Sequence, residues 1–305
     1  MIYTLTLNPS IDYIVGLEKM ELGALNRTQK EAKIPGGKGI NVSILLRSMD
    51  VESIATGFVG GFTGQYVKDS LEAKRVKTSF IEVNGETRIN VKIKAEEETE
   101  INGQGPAITT EDLNQLKEKI RELQRGDTLV LAGSIPGSMD KNIYKNLIEI
   151  CRENGTETVV DAEGDLLKTV LPFQPFLIKP NHHELGQFFG VDIHTPDEAI
   201  SYGKKLVELG AKNVIVSLAG EGAVFINKTT ALSATVPKGE VRSSIGAGDS
   251  MVAGFLAKYK ETGSVREAFR YSVAAGSATA FSIGLGTKEK TLELLEQVKL
   301  TENEF

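Results

Sequence analysis

A chain of 305 residues, 40% hydrophobic and 25% charged, is long enough to bury a full core, and its 31 glycines call for many tight turns. A net charge of −6 without any Lys/Arg cluster argues against a nucleic-acid or anionic-membrane surface. One cysteine, Cys151, excludes an intramolecular disulfide, and the lack of a long apolar run or charged leader predicts a cytoplasmic protein.

Short β-branched runs alternate with helical patterns along the chain. Ile2–Leu7 reads as a strand, Ile40–Met49 as a helix, Ile54–Val59 as a strand and Gly64–Ala73 as a helix. Helix Glu111–Leu123, strand Thr128–Ala132, helix Lys141–Glu153 and strands Thr158–Asp161 and Phe176–Lys179 follow. Helix Pro196–Leu209 precedes strands Val214–Leu218 and Ala223–Ile226, and the chain closes on helices Ser250–Tyr259 and Val265–Phe281. The alternation predicts an α/β fold, a mostly parallel sheet with helices on both faces. Two charged, strand-like stretches, Ile11–Lys33 and Ser79–Ile101, break it. They read as one discontinuous β-lid within a single domain spanning 1–305, and the acidic run Glu96–Glu100 as a solvated face of that lid.

Four clusters carry candidate chemistry. Pro35-Gly36-Gly37-Lys38-Gly39-Ile40-Asn41 precedes a helical pattern, so backbone donors can converge with an ammonium group and an amide. It is not a P-loop, because position 32 is Ala where Gly is required and position 39 is Gly where Ser or Thr is required. The cluster is either a sugar and phosphate site or a glycine-rich connection. Asp12, after Asn8-Pro9-Ser10, can hold two neighbouring sugar hydroxyls or sit in a solvated turn.

Lys179-Pro180-Asn181-His182-His183-Glu184 spells a helix start, with Asn181 as cap and Glu184 three residues on. The competing reading is a Mg²⁺ site reached through water. The three histidines, His182, His183 and His194, lack zinc spacing. Ser217-Leu218-Ala219-Gly220-Glu221-Gly222 has small residues that let a nucleotide approach the backbone. Finally, Gly246-Ala247-Gly248 runs into Asp249 and a helix, which makes an anion site with a carboxylate beside it. The plainer reading is a tight turn with Asp249 or Ser250 as cap.

TLNPSID, PGGKGIN, KPNHHE and GAGDSMVAGF stand in this order over essentially the whole chain, which thereby resembles the ribokinase-like (PfkB) sugar kinases. TRINVKI (Thr87–Ile93), ETEINGQGP (Glu98–Pro106), LAGSIP (Leu131–Pro136) and KPNHHELG (Lys179–Gly186) make it most similar to the 1-phosphofructokinase branch, with the tagatose-6-phosphate kinases near. The resemblance implies ATP- and Mg²⁺-dependent phosphorylation of a sugar phosphate, D-fructose 1-phosphate at its 6-hydroxyl. It makes Asp249 the general base and Gly246, Ala247 and Gly248 the anion hole. Asp12, Gly36, Gly37, Asn41 and Asn90 would hold the sugar, and Lys38, Arg88 and Arg27 its phosphate. Lys179, Ser217, Ala219, Gly220, Gly222, Gly248 and Ser277 would meet the nucleotide, with Asn181 and Glu184 placing Mg²⁺ through water.

Two positions depart from the family pattern: Ala219, where many relatives carry Gly, and Asp161-Ala162-Glu163-Gly164 in place of Asp-x-Ser-Gly. The helix dipole is expected to favour ionised Asp249, a weak base. Ile14, Val15 and Ile89 would leave the lid with exposed apolar positions, which predicts a homodimer covered by a partner lid. Outside the enzyme class, the alternative is a sugar-phosphate-binding protein without catalysis.

Overall fold

The computed structural model describes residues 1–162 and 164–303. Strands β1 (Ile2–Thr6), β2 (Ser10–Gly16) and β3 (Lys30–Gly36) lead into helix α1 (Lys38–Ser48). Strand β4 (Ser53–Val59) and helix α2 (Gly61–Ala73) precede β5 (Lys77–Thr78), β6 (Ile81–Glu82), β7 (Arg88–Lys94) and β8 (Glu98–Asn102). Next come α3 (Thr110–Arg121), β9 (Thr128–Ala132), α4 (Ile143–Asn154), β10 (Glu157–Asp161), α5 (Asp165–Val170), β11 (Leu177–Ile178) and α6 (His182–Phe189). The last part holds α7 (Pro196–Glu208), β12 (Asn213–Ser217), β13 (Ala223–Asn227), β14 (Ala231–Ala234), α8 (Ala247–Thr262), α9 (Val265–Ala280), α10 (Lys288–Leu295) and β15 (Leu300–Glu302).

The large sheet runs β15-β14-β13-β12-β11-β10-β9-β1-β4-β5, with β6 also beside β4. From β5 to β12 every pairing is parallel, and β13, β14 and β15 add an antiparallel edge. Strand periodicity sorts the core into two layers. Leu129 and Leu131 of β9 pack with α3, α4 and α7 on one face, whereas Val130 and Ala132 pack with α1, α8 and α9 on the other. Val214 and Val216 divide from Ile215 in the same way, as do Val224 and Ile226 from Phe225. The predicted α/β sheet with two helical layers is therefore the observed one. Cys151 is buried in the first layer, and burial pushes its thiol up to about 12, consistent with a small core residue.

Helix starts follow from local chemistry. Thr109, Asn181 and Thr195 each cap a helix by accepting the N–H of the acidic residue three positions on, and each donates its own N–H to that residue's carboxylate in return. The elements that escaped the sequence pattern are short or weakly patterned: α5, α10, and the strands β5, β6, β14 and β15. Strand β14 reads Ala-Leu-Ser-Ala, with no β-branched residue to mark it.

The second sheet, β3-β2-β7-β8, is assembled from two separated segments, because β2 pairs parallel to β7. Its limits differ from the predicted ones. The second segment begins at Arg88 rather than Ser79, since Ile81–Glu82 pairs with Phe58–Val59 of β4 and the Ile81 side chain is buried in the main core. Residues 17–29 form a loop that exposes Leu22 and Leu25. Ile14 and Val15 are strand neighbours and so face opposite sides. Ile14 and Val15, expected to be exposed, are both half-buried: Val15 shares the face of exposed Ile89 and Ile101, and Ile14 belongs to the other face with exposed Ile34.

Among the described residues no helix is long and apolar enough to cross a membrane.

Candidate active site

Parallel sheets place ligands at the carboxyl ends of their strands. A cavity of about 1430 Å³ lies there, lined by Thr6, Ala132, Asp161, Lys179 and Ser217 at the ends of β1, β9, β10, β11 and β12. From the small sheet, Asp12, Arg88, Lys92, Glu100 and Asn102 complete its wall.

At the centre sits Asp249, in the first turn of α8 and 5% exposed. Its Oδ2 accepts the Asn41 amide at 2.8 Å, so the PGGKGIN and GAGD motifs meet at one carboxylate. Burial raises the Asp249 carboxyl to about 6, helped by the nearby Asp161 charge and opposed by the Asn41 bond, Lys38 and Lys179. Desolvation and the Asp161 charge thus act against the weak base expected from the helix dipole.

Asp161 lines the cavity although the motifs did not nominate it. It is buried between two ammonium groups, Lys38 Nζ at 3.6 Å from Oδ2 and Lys179 Nζ at 3.6 Å from Oδ1. Lys179 also fills the space beside Gly248, whose Cβ, if it had one, would lie 2.9 Å from Nζ. The signal was positional: Asp161 ends a predicted parallel strand, where ligands gather. Lys38, expected on the sugar phosphate, lines the cavity with its ammonium 3.6 Å from Asp161.

The predicted anion hole is modified in detail. Ala247 N–H donates to the Ser244 carbonyl at 3.2 Å, whereas the N–H groups of Gly246, Gly248 and Asp249 find no backbone acceptor among the described residues and belong to residues lining the cavity. They are the free donors at a helix N-terminus, suited to an anion.

The predicted sugar residues converge on the small sheet. Asp12 Oδ1 accepts from Ser10 Oγ at 2.7 Å and from Asn90 Nδ2 at 3.0 Å, and Asn90 Oδ1 accepts the Gly103 N–H at 3.2 Å. Gly36 must be glycine for this, because a Cβ would come within 2.5 Å of both Asp12 Oδ1 and Ser10 Oγ. Gly37 lines the cavity beside it. Arg88 donates one bond to the Gly103 carbonyl at 3.2 Å, and its Nε is buried without a partner among the described residues. Burial lowers the Arg88 guanidinium, partly offset by Asp12. Lys92, 3.5 Å from Asp12 and 3.3 Å from Glu100, was not anticipated, although strand periodicity puts it on the face of Arg88 and Asn90. Arg27 is exposed in the 17–29 loop and is not brought to the cavity.

On the remaining side, Asn181 Oδ1 accepts the Glu184 N–H and Glu184 Oε2 accepts the Asn181 N–H, both at 2.8 Å. The pair is therefore a complete capping box, which leaves Glu184 Oε1 as its spare oxygen. Burial raises the Glu184 carboxyl, with Asp161 adding to the effect and Lys179 opposing it. Ser217, Ala219, Gly220, Gly222 and Ser277 all line the cavity as expected. Ala219 has φ of 49°, a left-handed conformation that explains why glycine suits this position.

A cleft of this form, with a buried carboxylate at a glycine-capped helix and a polar sheet across its mouth, defines a phosphoryl-transfer enzyme of the α/β type. The model of the pfkB family of carbohydrate kinases matches residues 5–292, and the chain belongs to that family. It is 53% identical to the 1-phosphofructokinase of Bacillus subtilis (strain 168), over 99% of both chains. The D-tagatose-1-phosphate kinase of Bacillus licheniformis is 37% identical over 99% of both chains. Phosphofructokinase-2 from Escherichia coli, solved in complex with fructose-6-phosphate, superposes with a TM-score of 0.90 at 30% identity, covering 97% of this chain and 98% of the other. The protein is a sugar kinase with the ribokinase-like fold, and ATP is the phosphoryl donor the family implies.

Proposed function

We propose that the protein transfers the γ-phosphoryl group of ATP to the 6-hydroxyl of D-fructose 1-phosphate, giving fructose 1,6-bisphosphate and ADP. One observation carries this reading: a single cleft holds both a buried carboxylate beside open helix amides and a guanidinium whose buried Nε lacks a partner. A sugar phosphate has the matching ends, a reactive hydroxyl and a dianion. The full-length similarity to a 1-phosphofructokinase supports the particular acceptor.

Asp249 accepts the acceptor hydroxyl's proton as its oxygen bonds to the γ-phosphorus and the bridging bond to ADP breaks. A carboxylate with its affinity for protons raised to about 6 is better matched to this task than an ordinary one. The amides of Gly246 and Gly248 face charge building on the equatorial oxygens, and removing one such donor costs about 3 kcal/mol of barrier. Lys38 and Lys179, held by Asp161, supply positive charge beside the transferring group. Glu184, through Oε1 and water, fits Mg²⁺, since a cation would relieve the unfavourable burial of its charge. When bound there, the ion would supply neutralisation of phosphate charge. Asp12 and Asn90 bind sugar hydroxyls, and Arg88 binds the existing phosphate.

Arg88→Ala is expected to raise KM for the phosphorylated sugar by about tenfold or more with a smaller change in kcat, as for lost charge-assisted binding. Equal effects on phosphorylated and unphosphorylated acceptors would remove the phosphate contact. The exposed apolar face of Ile89 and Ile101 supports a homodimer through the small sheet. Sedimentation at micromolar concentration is expected to give a dimer, and a monomer would overturn this arrangement. The enzyme is inferred to work in the cytoplasm.

The deciding assay is ADP release with Mg-ATP against fructose 1-phosphate, tagatose 1-phosphate, tagatose 6-phosphate, fructose 6-phosphate and fructose. Preference for fructose 1-phosphate supports the assignment. Preference for a 6-phosphate would reverse the sugar in the site, and failure to turn over any acceptor would favour a binding protein.

A further inference from the structure

Behind the anion hole runs a chain of hydroxyls that the mechanism above does not use. Ser250 and Thr279 are both fully buried, with Oγ and Oγ1 2.5 Å apart. Thr279 Oγ1 accepts the Gly286 N–H at 2.8 Å, and Ser250 Oγ donates to the Gly246 carbonyl at 2.9 Å. An N–H only donates and a carbonyl only accepts, so one polarity gives every hydrogen an acceptor. Gly286 N–H points to Thr279, Thr279 to Ser250, and Ser250 to Gly246.

Gly246 is the residue this chain grips. It holds φ of 80°, and a Cβ there would lie 2.7 Å from Leu285 Cδ2, so the segment before Gly286 packs on it as well. Its carbonyl takes a second bond from the Ser250 N–H at 2.9 Å. The end of α9 also suspends the segment that enters the hole, because the Ala280 carbonyl accepts the N–H groups of Arg242 at 2.8 Å and Ser243 at 3.2 Å. Glycine in a left-handed conformation has little intrinsic resistance to rotation of its peptide. A rotated Gly246 carbonyl would turn a negative dipole toward the anion that the neighbouring amides receive.

We propose that Thr279 and Ser250 are positioning residues for phosphoryl transfer. Their directed hydroxyl chain holds the Gly246 carbonyl out of the anion hole and couples the hole to the turn at Leu285–Gly286. This rests on the kinase reading given above.

The test uses Thr279→Val, Thr279→Ser, Ser250→Ala and the Val/Ala double variant of the full-length enzyme. Steady-state kinetics is read beside the extra thermal stabilisation that fluoroaluminate adds to ADP and Mg²⁺. Thr279→Val and Ser250→Ala are each expected to lower kcat by about tenfold or more, with both KM values within about twofold, and to lose the fluoroaluminate increment. Thr279→Ser keeps the hydroxyl and is expected to stay within about twofold of the wild type, and the double variant to be no worse than the poorer single one. Folded Thr279→Val or Ser250→Ala with wild-type kcat and increment would overturn the proposal. So would Thr279→Ser as impaired as Thr279→Val, which would assign the effect to packing of the methyl group. If Thr279→Val does not fold, Ser250→Ala decides alone, because it removes a single oxygen. A wild type inactive on fructose 1-phosphate that still shows the increment would sink the substrate assignment and leave this inference standing on the increment. The absence of both in the wild type would overturn the two together.

Discussion

Asp249→Asn is expected to lower kcat by about 10²–10⁴-fold while the KM for ATP stays within about threefold. The amide keeps the shape of the carboxylate and can still meet Asn41 after a flip, so substrate binding survives while proton acceptance is lost. The wild-type pH profile should carry the signature of the same group. A base must be unprotonated to act, so kcat/KM is expected to fall as pH drops through about 6, the value to which burial and Asp161 raise Asp249.

The stability effect has the opposite sign. The folded-state affinity for the proton exceeds the unfolded one, so this group favours the fold below its unfolded value, and that advantage is lost as pH rises through about 6. Above that pH the buried charge costs roughly 3 kcal/mol relative to an unfolded value of about 3.9. Asp249→Asn is therefore expected to raise Tm by a few degrees at pH 8, by about half as much near pH 5, and to leave it unchanged only below about pH 3.5, under the unfolded value. Turnover near the wild-type level would exclude Asp249 as base. Slow turnover with no gain in Tm at pH 8 would mean that Asn41 and the two lysines already compensate the charge.

Much of this site was legible because its glycines and polar residues cluster in sequence. Gly36, Gly37 and Asn41 lie in one motif, and Gly246, Gly248 and Asp249 in another, so local chemistry alone marked them. The sheet was legible for a similar reason: alternation of Leu129, Val130 and Leu131 between two apolar layers leaves a clear run of β-branched and aliphatic residues. What escaped depended on tertiary proximity. Asp161 lies in a strand end with no glycine beside it until Gly164, and its importance comes from Lys38 and Lys179, which arrive from distant segments. The pairing of Lys38 with Asp161 was not legible either, because a lysine in a glycine loop suits any phosphate, and only the fold shows which carboxylate its ammonium meets. The Ser79–Thr87 stretch reads as lid by charge and pattern, yet Ile81 needs the main core and draws β6 to β4.

Asp161→Asn is expected to reveal how far catalysis depends on that unanticipated carboxylate. Two ammonium groups flank it at 3.6 Å, and Lys179 is 6% exposed, so neutralising Asp161 leaves a buried positive charge without its principal counterion. Removing one partner of a buried pair costs on the order of 3 kcal/mol, which corresponds to a fall in Tm of roughly 5–10 °C in a chain of this size. The same change takes a negative charge away from Asp249, whose raised proton affinity owes its second-largest contribution to Asp161. The acid limb of kcat/KM should therefore move below its wild-type position, and the base should weaken. With the Asp161 charge no longer holding Lys179 in place, kcat is expected to fall by about tenfold or more. Lost stability with an unmoved acid limb would assign Asp161 to holding the lysines alone. A displaced limb would make it the residue that tunes the base, since the charge that opposes ionisation of Asp249 is also the one that keeps both ammonium groups beside the phosphoryl path.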